Sequence, residues 1–83
     1  MTGGDAKAMM AEGLEHVGFH VDPNGVFVRG GSRVFVGNRL LTVERDGVMV
    51  SMFLDDVLSV EVDSDGMKVT GASFGVFVKA QED

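Results

Sequence analysis

Short apolar runs separated by turn-forming residues dominate the chain beyond residue 16. The runs are VGFHV, VFVR, RVFV, RLLTVER, VMVSMF, VLSVEV, MKVT and FGVFVK. Between them stand Asp22-Pro23-Asn24-Gly25, Gly30-Gly31-Ser32, Gly37-Asn38, Asp46-Gly47, Asp63-Ser64-Asp65-Gly66 and Gly71-Ala72-Ser73. Runs this short, rich in Val and Phe and regularly spaced, predict antiparallel hairpins in series. Asp46-Gly47 is the strongest turn signal, because a two-residue type I′ loop needs positive φ at both central positions. In Asp22-Pro23-Asn24-Gly25 the proline presets φ and the glycine suits the left-handed position.

Side chains alternate across a strand, so each run also predicts its faces. Leu58, Val60 and Val62 share one face of VLSVEV, with Ser59 and Glu61 on the other. Val17, Phe19 and Val21 point inward from VGFHV, leaving His16, Gly18 and His20 outside. VMVSMFL sets Val48, Val50, Met52 and Leu54 against Met49 and Phe53, and FGVFV sets Phe74, Val76 and Val78 against Phe77. Apolar residues on both sides predict a central barrel strand or an oligomer surface.

The first residues carry a different period. Ala6, Met9, Met10 and Leu14, with Val17 beyond, fall three and four apart and form one helical stripe. Asp5 suits the N-cap, Gly13 weakens the helix and Gly18 stops it. A helix over 5–16 is too short to persist alone and must pack on the strands. The expected fold is mainly β with one short N-terminal α-helix, an antiparallel meander forming a small roll, barrel or sandwich. It is read as a single domain over 1–83, with the helix at 5–16, strands over 17–80 and a tail at 81–83.

Composition sharpens this picture. The chain has 83 residues, 45% of them hydrophobic, and no cysteine; its mean hydropathy is +0.18. Disulfides and thiolate zinc sites are thereby excluded. A thin core joined to spare apolar surface favours a homo-oligomer. The net charge of −6 excludes the electrostatics by which most nucleic-acid binders hold phosphates. Arg29, Arg33, Arg39 and Arg45 are followed by a block of Asp46, Asp55, Asp56, Glu61, Asp63 and Asp65 with no intervening cation. Such blocks complement one another within a fold or between subunits, or form two solvated faces. The N-terminal region lacks a secretory pattern, Thr2 stands where myristoylation needs glycine, and no apolar run approaches a membrane span. The expected location is cytoplasmic, without membrane attachment.

Few residues suggest chemistry. Gly71-Ala72-Ser73-Phe74-Gly75 matches G-x-S-x-G, but a nucleophile elbow joins a strand to a helix and needs a later His, and both histidines come earlier. His16 and His20, four apart on a strand, stand roughly 13 Å from each other, too far for one ion. Glu61, Asp63, Asp65 and Gly66 imitate the first half of an EF-hand loop, yet the twelfth position is Ala72 instead of Glu. A turn with an acidic tip at Asp63 and Asp65 explains these residues better. Arg29-Gly30-Gly31-Ser32-Arg33 places two guanidinium groups around a glycine turn, a pattern suited to a carboxylate or phosphate.

Residues 33–62, RVFVGNRLLTVERDGVMVSMFLDDVLSVEV, resemble the strand meander of bacterial pleckstrin-homology-like and GRAM-like domains. There a strand ending near an Asn-Arg-Leu triplet, here Asn38-Arg39-Leu40, leads through a hairpin to a segment like Asp55-Asp56-Val57 and a further strand. The resemblance covers about 30 of the 83 residues. Those folds close with a C-terminal helix, whereas this helix is N-terminal, and no functional residue is carried across.

The expected function is a non-enzymatic protein–protein interaction or assembly module that self-associates through apolar strand faces or edges, with no cofactor or metal. Phe74 and Phe77, on a C-terminal strand suited to β-augmentation, are candidate contacts. Arg29, Arg33, Asp63 and Asp65 are the polar candidates. The alternative is a small acidic regulatory binder, an inhibitor or adaptor, docking on a basic protein. A ligand-binding or enzymatic domain is a third class, disfavoured because no acid–base pair is apparent.

Overall fold

A computed structural model of the protein describes residues 2–80. The helix α1 spans Gly3–His16. Strands follow at β1 His20–Val21, β2 Phe27–Arg29, β3 Ser32–Val36, β4 Leu40–Arg45 and β5 Val48–Phe53. A 3-10 turn at Leu54–Asp56 leads to β6 Val57–Val62, β7 Gly66–Gly71 and β8 Gly75–Lys79. The expected tail at 81–83 lies outside the described residues.

The chain is mainly β with one N-terminal helix, as its pattern predicts, but the strands do not close into a barrel. They form two antiparallel sheets, one ordered β1-β2-β3-β4-β5 and one ordered β6-β7-β8. Within each sheet every strand pairs with its neighbour in sequence, and β5 and β6 lie in different sheets. The turns behave as their residues dictate. Asp46 and Gly47 both adopt positive φ, at 52° and 80°, and their two-residue loop joins the paired Arg45 and Val48. The Asp22 carboxylate accepts the backbone N–H of Asn24 and of Val26, each at 2.9 Å, and fixes the loop before β2.

The helix differs from expectation at its start and agrees at its end. Thr2, not Asp5, is the N-cap, its hydroxyl accepting from Asp5 N at 3.1 Å. Asp5 instead supplies a negative charge in the first turn, where the helix dipole favours it. The end is a Schellman motif: Gly18 N donates to Glu15 O, and Phe19 N reaches back to Leu14 O. Gly18 takes a φ of 101°, which glycine adopts without strain. Val17 and Phe19 therefore belong to the helix cap instead of a strand, though both side chains are buried as expected.

Ala6, Met10 and Leu14 are fully buried and Met9 stays partly exposed. Gly13 has a positive role that its low helix propensity hides. A Cβ there would meet Val62 Cγ2 at 2.7 Å and Met67 Sδ at 2.9 Å; its absence brings the helix down onto the smaller sheet. Between helix and sheets lies one core, in which Phe27, Val34, Leu41 and Met52 face Val57, Val60, Met67, Val69 and Val78.

The predicted faces are corrected in β6 and β1, and the predicted place in the sheet in β5 and β8. A register shift between Val57 and Ser59 marks a bulge in β6, so Val57 and Val60 turn inward while Leu58 is 63% exposed. A bulge opposes two residues to one and resets the alternation. Val21, expected inside, lies exposed on the short edge strand β1. Neither VMVSMF nor GVFVK is a central strand: β5 and β8 each end a sheet.

Candidate interaction surface

The edge strand β5 carries more exposed large apolar side chains than any other element, Val48, Met49, Val50 and Phe53. Along it, Val48, Met49 and Phe53 are 64%, 61% and 60% exposed, and of its six residues only Met52 is buried. The pairings Leu40–Phe53, Thr42–Ser51 and Glu44–Met49 place Met49, Ser51 and Phe53 on the outer face of the larger sheet. Phe35, opposite Thr42, joins them there with Leu40. Two of the polar groups amid these apolar side chains partner each other. Thr42 Oγ1 and Ser51 Oγ share a hydrogen bond at 3.0 Å, and Arg33 stands opposite Glu44. Covering the part of this face around Thr42 and Ser51 therefore strands few polar atoms, the usual obstacle to burying a sheet surface.

Hydrogen-bond parity along β5 follows from its turn. Two-residue hairpin loops are closed by a hydrogen-bonded pair, here Arg45 and Val48. Beyond the other end, Leu54 N donates to Arg39 O at 2.8 Å. Val48, Val50 and Met52 thus direct their backbone groups to β4, while Met49, Ser51 and Phe53 direct theirs outward. Among the described residues, none of the backbone bonds made outside the ladders involves residues 48–53. The strand also contains no charge, no proline and no bulge, the devices that ordinarily blunt an edge.

The candidate strand β8 offers less. Phe77 is 56% exposed and Phe74 is also accessible. However, Arg29 Nη2 donates to the Lys79 carbonyl at 2.8 Å, occupying part of the outer edge, and the strand ends in a charged residue. Its parity, set by Gly71 N on Phe74 O and Ala80 N on Asp65 O, turns the backbone of Gly75, Phe77 and Lys79 outward.

The polar candidates separate. Arg29 and Arg33 do not flank one site, because Arg29 pairs with Ser32 and Arg33 with Val28, so they occupy opposite faces. Arg29 lies over the Phe19 ring at 5.1 Å, a cation–π contact that ties β2 to the helix cap. It borders a shallow cleft of about 380 Å³ with Ser32, Arg45 and Lys79. The sequence pattern hid Arg45 and Lys79; only the Ser32–Arg45 pairing across β3 and β4 reveals the first of them. Arg45 Nε also lies 3.7 Å from Asp46 Oδ2, both side chains well exposed.

Asp63 serves the turn. Its Oδ1 accepts from Asp65 N at 2.8 Å and from Gly66 N at 3.2 Å. Asp63→Ala is expected to cost about 1–2 kcal/mol through these unmade bonds, with Asp63→Asn retaining most of the stability; urea unfolding of both variants checks this. Ser73 stands between two strands, β7 and β8, where Gly71 N bonds Phe74 O, and lacks the strand-to-helix setting of a nucleophile elbow. Among the described residues no group of three His, Cys, Asp or Glu side chains is placed to hold a metal ion. No helix among them is long and apolar enough to cross a membrane. The chain matches no family model, no curated protein and no solved structure.

Proposed function

We propose that this protein is a non-enzymatic interaction and assembly module that associates with itself through exposed apolar strand surface. The observation that carries the reading is β5, an open edge without charge whose exposed side chains are chiefly Val, Met and Phe. Contiguous exposed apolar surface of this kind marks an interaction site in a folded chain. Strand addition supplies main-chain hydrogen bonds and lets alternate side chains set specificity.

The acidic-binder reading draws less support from the geometry. Asp55 and Asp56 precede β6 whereas Asp63 and Asp65 follow it. A strand of that length holds the two pairs roughly 20 Å apart, so they do not form one docking patch.

Salt distinguishes the readings. Copies that each carry −6 repel one another, so screening strengthens self-association and weakens docking on a basic protein. Sedimentation equilibrium over a concentration series is expected to show a mass above 8.8 kDa, rising with salt. Phe53→Asp is expected to raise the dissociation constant at least tenfold, about 1.4 kcal/mol or more. A monomeric mass at millimolar concentration and high salt would overturn the proposal.

A further inference from the structure

The assembly reading leaves open which copies meet and how. Resting on that reading, we infer that two copies join edge to edge through β5, antiparallel about a two-fold axis at Ser51, making one ten-stranded sheet from two five-stranded ones.

The argument begins from parity. Only Met49, Ser51 and Phe53 send backbone N–H and C=O groups outward. A second antiparallel β5 satisfies those groups only where outward residues oppose outward residues, which removes every alternate register. Of those remaining, the register centred on Ser51 brings all three outward residues into hydrogen-bonded pairs. Ser51 then opposes Ser51 of the second copy, and Met49 opposes its Phe53.

The side chains fit the same arrangement. Met49 and Phe53 lie on one face with Ser51, so the two-fold axis generates two Met–Phe pairs around a polar centre. Thioether–aromatic contacts are favourable, and methionine adapts to the facing ring. Self-complementarity about an axis is what a two-fold interface requires. The strand's lack of charge removes the like-charge penalty that self-pairing would otherwise meet. Of the other three edges, β8 is partly occupied by Arg29 at the Lys79 carbonyl, β1 is only two residues long and β6 carries the charge of Glu61. Edge pairing of one strand is a small interface, under about 1,200 Å² in total, so the dimer is expected to dissociate on dilution.

The cysteine-free chain permits a direct test by mild oxidation of single-cysteine variants. Ser51→Cys is expected to form a disulfide dimer, because hydrogen-bonded antiparallel partners stand about 5.5 Å apart at Cα, within disulfide reach. Met49→Cys alone is expected not to link, being roughly 14 Å from its own copy, while Met49→Cys combined with Phe53→Cys links. A second readout needs no substitution. In hydrogen exchange, amides of Met49, Ser51 and Phe53 slow as concentration rises, whereas those of Val48, Val50 and Met52 do not change. Linking through Phe77→Cys but not Ser51→Cys, or concentration-independent exchange at all six amides in a protein heavier than a monomer, overturns β5 pairing and leaves self-association standing. Met49→Cys linking as readily as Ser51→Cys overturns the register. A monomeric native mass removes both the pairing and the reading beneath it.

Discussion

Gly66→Ala is expected to destabilise the protein by about 3–4 kcal/mol. Gly66 opens β7 with a φ of 153°, a conformation largely reserved for glycine and costing about 1–3 kcal/mol with a side chain. The greater obstacle is space. A Cβ at this position would press into the Val78 carbonyl oxygen, with Phe77 Cζ at 2.8 Å and Ala80 N at 3.1 Å. The first is a backbone atom of the paired strand and the last belongs to the residue just past it, so relief means moving β8 away from β7. Overpacking of this kind adds about 1–3 kcal/mol, against a total stability of roughly 4–12 kcal/mol for a chain of this length. Urea denaturation should show a lower midpoint with little change in slope. Gly25→Ala provides the control. Gly25 also has positive φ, 83°, but nothing lies within 4 Å of its Cβ position, so that variant should lose only about 1–2 kcal/mol. Equal losses in the two variants would show that close approach of the backbones contributes nothing.

Leu14→Ala is expected to cost about 2–5 kcal/mol. Leu14 is fully buried, and its carbonyl accepts from Phe19 N in the helix cap. The side chain fills space between α1 and the sheets that no neighbouring element can enter without dragging the helix after it. Met9, on the same helix but partly exposed, gives the comparison: Met9→Ala should lie within about 1 kcal/mol of the parent. Thermal unfolding separates the two. A small loss from Leu14→Ala would mean that the helix contributes little to the core.

Both sites show how far the sequence is legible. Turn chemistry is local, and Asp46-Gly47, Asp22-Pro23-Asn24-Gly25 and Asp63-Ser64-Asp65-Gly66 fold as their residues prescribe. Strand number and the helix follow from the spacing between those turns. Sheet order is a different kind of fact. VMVSMF reads as doubly covered because alternation reports polarity, not neighbours, and an uncharged edge looks identical to an interior strand. The bulge at Leu58 is equally silent, since a single inserted residue leaves no mark on composition. Gly13 and Gly66 read as a weak helix position and a turn residue, yet each matters for what lies opposite it, far along the chain. Arg29 and Arg33 are misread together for a related reason. Flanking a two-residue turn at unequal distances puts them in adjacent rows, and hence on opposite faces.

The meander has a kinetic side. Each ladder joins chain neighbours, and within each sheet the connecting loops hold only two to five residues. The exception is α1, whose Gly13 rests against Val62 about 50 positions away. Closing a loop of that length costs about 2 kcal/mol more than closing a hairpin. A 14-residue helix has little persistence by itself with which to offset that cost. The sheets can therefore zip from turn to turn while the helix waits for β6, the strand it covers. Residues 2–19 emerge from the ribosome before β6 and are expected to dock only after that strand has formed.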